Sequence, residues 1–142
     1  MNTDLKKVGE KKFMSRGLAW FLGAGLGANG VWMLIRPLDW YYTMPGVKGT
    51  GPPNLHFMRD IGCAYVVVCA SLFWTAKKPR QAWPSVFTSG LFLALHALVH
   101  LWDALAGRQP GHQLVTDLPG VVLPALLVLW VAWLAQRSSA EE

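Results

Sequence analysis

The chain has 142 residues, of which 53% are hydrophobic and only 15% charged, with a formal net charge of +5. A soluble domain carries about 25% charged residues, so an ordinary water-soluble globule is excluded, and the length allows one domain. The positive charge gathers at the ends of apolar blocks rather than along one face, which excludes a nucleic-acid-binding surface and suits membrane topology.

Four apolar blocks approach the ~20 residues that a helix needs to cross a bilayer. They predict transmembrane helices over 17–36, 57–76, 83–103 and 118–136. None of them alternates with the period of two that a barrel strand requires. The expected fold is all-α, an integral-membrane antiparallel four-helix bundle in contact with the lipid bilayer. Residues 1–16 form a basic lead, and 137–142 a short tail. Lys6, Lys7, Lys11, Lys12, Arg16, Lys77, Lys78, Arg80 and Arg137 all fall on one side of such a bundle. The positive-inside rule then puts both termini in the cytoplasm of a bacterial inner membrane.

The first span is too long for a signal peptide, and Arg36-Pro37-Leu38-Asp39-Trp40 is no small-residue cleavage site, so the span is expected to be retained. Within it, Gly23 and Gly27 make a small-xxx-small pair that Gly30 extends. Such a face packs closely, either on a helix of the same chain or on a membrane partner or second copy. In the outer loop 37–55, Trp40, Tyr41 and Tyr42 suit the headgroup layer. Gly46, Gly49, Gly51, Pro52 and Pro53 then oppose regular structure, and the rival role for the loop is a lid over an outer pocket.

The second span opens with His56, Arg59 and Asp60. Its Cys63 and Cys69 point roughly 240° apart on a helix and cannot bridge each other. The short link 76–82 makes spans two and three neighbours. Span three carries His96, His100 and Asp103 near its end, and a second outer loop, 104–117, contains a solvated His112. In span four, Pro119 is tolerated near the start, whereas Pro124 is positioned to kink the helix.

Ionisable side chains within membrane helices need a use or a partner. Span two descends from the outer side and span three returns to it, so His56, Arg59 and Asp60 share a depth with His96, His100 and Asp103. At 1.5 Å per residue, His96 lies about 10 Å below Asp103. Arg36 and Asp117 complete a ring at that end, and the inner half is almost wholly apolar. One expectation is a buried network that pins the helices together in a non-catalytic accessory subunit. A second is a metal site for Zn, Fe or Cu, with His56, Asp60, His96, His100 and Asp103 as ligands. A third is a quinone headgroup site that adds Arg59 and Trp102. A b-type haem would need His56 opposite one histidine of span three. No nucleophile–base pair or nucleotide motif accompanies these residues.

A glycine-rich first span ending in Arg36-Pro37, an outer loop, and then Asn54-Leu-His-Phe-Met-Arg59-Asp60-Ile-Gly62 together resemble the DoxX-like group of small four-helix bacterial membrane proteins. The resemblance covers the four-span layout, and its local match is Arg59 with Gly62. It implies an association with thiol, sulfur or quinone redox chemistry.

Overall fold

The computed structural model describes residues 2–140, with side-chain surroundings for 15–139. The described residues form helices α1 (Asn2–Ile35), α2 (Pro37–Thr43), α3 (Leu55–Lys77), α4 (Pro79–Leu105), α5 (Gln113–Asp117) and α6 (Leu123–Ala140). A 3-10 turn covers Val47–Thr50, and a π turn, Leu118–Val122, joins α5 to α6. Four segments are long and apolar enough to cross a membrane: Ser15–Ile35, Leu55–Lys77, Pro79–Leu105 and Gln113–Ser139. The chain thus has the make-up of a multi-pass membrane protein.

Local chemistry explains where these helices begin and bend. Asn54 caps α3, its side-chain oxygen accepting from the Phe57 N–H at 3.1 Å, and so offsets one of the orphan donors of a helix start. Only Lys78 separates α3 from α4, because Pro79 at the first helical position restarts the chain at once. Pro84 inside α4 withdraws the N–H that would serve the Arg80 carbonyl. The Ser139 hydroxyl of α6 donates to that carbonyl at 2.9 Å instead. Pro119 and Pro124 likewise interrupt the ladder of the last span, and the chain answers with a wider π turn that contains the first and ends just before the second.

α1 packs chiefly on α3 and α4 on α6, with α3–α4 and α1–α6 contacts closing the set. Leu72, Leu93, Val68, Val86, Val128 and Val131 are fully enclosed between them. Phe21, Val67, Leu95 and Leu126 stand exposed on the outside, as expected of side chains that meet lipid rather than water.

Glycines set the closest approach. A Cβ at Gly23 would meet the Phe73 ring, one at Gly27 the Cys69 sulfur, and one at Gly30 the Gly62 carbonyl at 2.8 Å. The Gly23/Gly27 face, expected to be available to a membrane partner or second copy, is therefore occupied by α3 of the same chain. Without a hydrophobic force between helices in lipid, such intimate van der Waals contact is what holds the pair together.

Two boundaries differ from the sequence expectation. Residues 37–43 are helical, since Pro37 supplies a pre-set first turn. Tyr41 turns inward, donating its hydroxyl to the Gly51 carbonyl at 2.7 Å, and Trp40 donates its indole N–H to Asn29 Oδ1 at 2.8 Å. Of the three aromatics assigned to the headgroup layer, only Tyr42 remains exposed. The last span starts at Gln113 rather than 118, because the π turn carries the helix through its prolines. The side chains of Lys6, Lys7, Lys11 and Lys12 in the basic lead, and residues 141–142 of the tail, lie outside the described residues.

Candidate functional site: a carboxylate-held histidine pair

Two buried polar residues at the start of the last span, Asp117 and Gln113, organise the site. Asp117 is only 6% exposed and Gln113 8%. A carboxylate this deep is costly unless donors surround it. Gln113, one turn earlier on α5, donates its Nε2 to Asp117 Oδ1 at 2.9 Å. His100 Nδ1, from α4, lies 2.8 Å from Asp117 Oδ2. With an ionised carboxylate as the acceptor, the proton of that bond sits on Nδ1. The bond then fixes the ring orientation and leaves Nε2 as the outward-acting nitrogen.

His96 lies one turn below His100, the two ring centroids 4.8 Å apart and steeply tilted. Phe92, a further turn down, stacks nearly parallel to His96 at 6.3 Å. Tyr65 of α3 meets the His96 ring edge-on at 6.4 Å. The i, i+4 spacing of 92, 96 and 100 builds this ladder on one face of α4. At the His100 end, Gly46 in the loop after α2 adopts a left-handed φ of 82°. The Gln113 amide fills the space where a Cβ would stand. The loop that follows α2 therefore rests against the residue that holds Asp117.

The other expected site residues find different partners. His56 and Asp60 pair with each other, Nε2 to Oδ2 at 3.5 Å, with side chains 90% and 59% exposed. At about 100° per residue, His56 lies across the α3 helix from Tyr65, the residue of that helix that reaches His96. Asp103 pairs with Arg108 at 3.0 Å. Arg59 donates its Nε to the Leu34 carbonyl at 3.4 Å, closing the end of α1. Trp102 is exposed, and Arg36 pairs with Asp39. The proposed ligand set is thus divided among His56–Asp60, His96–His100 and Asp103–Arg108. Among the described residues, no group of three or more His, Cys, Asp or Glu side chains could hold a metal ion.

The sequence had placed Asp117 only at the edge of a polar ring, and Gln113 was missed. The available signal was an acidic residue entering an apolar block, with an amide side chain one helical turn before it. That the 104–117 segment read as a loop hid the turn.

Comparison with known proteins gives no match to a family model, a curated protein or a solved structure.

Proposed function

We propose that the chain is a bacterial inner-membrane protein, an antiparallel four-helix bundle with both termini cytoplasmic. In this reading its His96–His100–Asp117 unit binds a quinone headgroup in the outer leaflet. The bundle is supported by the pairing order of Gly23, Gly27 and Gly30 with Phe73, Cys69 and Gly62. It is also supported by the Ser139–Arg80 and His100–Asp117 links, which tie opposite ends of α4 to α6 and α5, the two ends of the last span. The charge distribution supports the orientation.

The single observation that carries the ligand reading is the carboxylate-oriented imidazole beside a second imidazole on an aromatic ladder. His100, donating through Nδ1 to Asp117, keeps Nε2 as an acceptor for the hydroxyl of the reduced (quinol) headgroup, and His96 offers a second polar contact. Phe92 and Tyr65 supply apolar ring surface below. His96 and His100 are themselves partly exposed on α4, so a headgroup on a lipid tail could reach them sideways from the bilayer. A bound quinone would supply two-electron, two-proton redox chemistry, in keeping with the DoxX-like resemblance. Within that resemblance, Arg59 and Gly62 are the residues that fasten α3 to α1. A metal ion fits less well, because His96 and His100 lack an assembled third ligand among the described residues.

A second reading is favoured by the closure of the Gln113–Asp117–His100 chain upon itself. It makes the cluster a helix-pinning network in a non-catalytic accessory subunit.

The test is to extract and quantify quinone and metals from protein purified gently from its native membrane. His100→Gln keeps an amide donor for Asp117 but removes the imidazole, and His56→Ala serves as an exposed control. Quinone near one per chain, lost in a His96→Gln/His100→Gln variant of unchanged helicity and kept in His56→Ala, is the expected result. Stoichiometric Zn, Fe or Cu with the same pattern would replace quinone by metal. Absence of both, with a lower melting temperature in His100→Ala, would leave the pinning network.

A further inference from the structure

At the opposite end from the histidines, all four long helices converge on a cleft of ≈ 400 Å³. Arg16 of α1, Lys77 at the end of α3, the linker Lys78, Arg80 and Gln81 of α4, and Ser138 of α6 line it. Four of these six residues are cationic, and no carboxylate is among the described lining residues. The one-residue elbow at Lys78 creates this concentration. It allows no loop to spread the charges, so the last turn of α3 and the first turn of α4 present them side by side.

The surroundings of the cleft carry a second signature. Trp20, Trp74 and Trp133 are each nearly half exposed at this end. The Lys77 ammonium lies 5.8 Å over the Trp20 ring, and the Arg137 guanidinium 3.7 Å over that of Trp133. Exposed indoles with cations over their faces mark the depth of the lipid headgroups. The cleft therefore sits where a phosphodiester would be found, above the exposed apolar flank of the helices where acyl chains would lie.

We propose that this cleft is a binding site for an anionic phospholipid of the phosphatidylglycerol class. Lys77, Lys78 and Arg16 hold the phosphate, and Gln81 and Ser138 offer hydrogen bonds to the glycerol headgroup. Basic pockets between membrane helices select anionic headgroups in this way, through charge that a zwitterionic lipid neutralises with its own amine. The site is separate from the His96–His100 cluster and does not rest on the quinone reading.

The experiment measures lipid retention by native mass spectrometry, together with melting temperature in phosphatidylcholine vesicles with and without phosphatidylglycerol. Wild-type protein is expected to keep one phosphatidylglycerol in preference to phosphatidylcholine and to melt higher in the mixed vesicles. Each lysine near an anionic headgroup contributes about fivefold in affinity. Lys77→Gln/Lys78→Gln should thus weaken retention by about 25-fold, whereas Lys48→Gln at the other end leaves it unchanged. Both lysines are exposed, so the double variant should keep the helicity of the wild type, which circular dichroism checks. Equal retention of the two lipids, or undiminished preference in the double variant, overturns the proposal. Displacement of the lipid by inorganic phosphate would show that a free anion suffices, and would overturn the assignment to lipid.

Discussion

Gly30→Ala is the most direct probe of how the fold supports the histidine ladder. A Cβ at this position would stand 2.8 Å from the Gly62 carbonyl oxygen, 2.9 Å from Tyr65 Cβ and 3.2 Å from the Val66 nitrogen. Ordinary contact begins at 3.4 Å, so the tightest approach falls 0.6 Å short. Two of the three obstacles are backbone atoms, which cannot rotate away, and α1 must move off α3. Overpacking of this kind costs about 1–3 kcal/mol. The better helix propensity of alanine returns about 0.5–1 kcal/mol, leaving a net loss of roughly 1–2 kcal/mol. For a chain of this size that lowers the melting temperature by about 3–8 °C.

Gly25→Ala is the matched control, since its Cβ would meet nothing within 4 Å, and it should melt at or slightly above the wild type. Thermal unfolding in one detergent, followed by circular dichroism, compares the two. Because Tyr65 also touches His96, Gly30→Ala should disturb ligand retention at the histidines as well. Equal melting temperatures for Gly30→Ala and Gly25→Ala would refute the close crossing of α1 and α3.

Two further outcomes follow from individual contacts. Ser139→Ala removes the hydroxyl that donates to the Arg80 carbonyl and should cost about 0.5–1.5 kcal/mol. Pro84→Ala restores a backbone N–H to that carbonyl, so a double-mutant cycle should show the Ser139 effect largely abolished in the Pro84→Ala background. Gly46→Ala imposes a left-handed conformation that costs about 1–2 kcal/mol for an L residue. It also displaces the Gln113 amide. Limited proteolysis should cut the 37–54 segment faster in this variant, whereas Gly49→Ala, with open space around it, should leave the rate unchanged.

Much of the architecture was legible in the one-dimensional pattern. Four apolar blocks with polar interruptions are enough to specify four long helices, because a backbone in hydrocarbon must satisfy its own hydrogen bonds. The same restriction made His96 and His100 conspicuous, and their i, i+4 spacing placed them on one face of α4 before any contact was known. The glycines at 23, 27 and 30 also announced a close helix crossing.

What the sequence left open was which faces meet. Depth follows from counting residues along a helix, but azimuth depends on how neighbouring helices rotate to interlock. His56 and Asp60 share a depth with the histidine pair, yet their helix turns them outward because Gly62 and Tyr65 take the inward face. Asp117 and Gln113 became central only when α5 folded through the segment read as a loop, one turn before the prolines that hid it. Helix identity and depth are local properties of composition. The choice of Asp117 over Asp103 as partner to His100 belongs to the tertiary structure, because only packing decides which carboxylate is buried within reach of the ring.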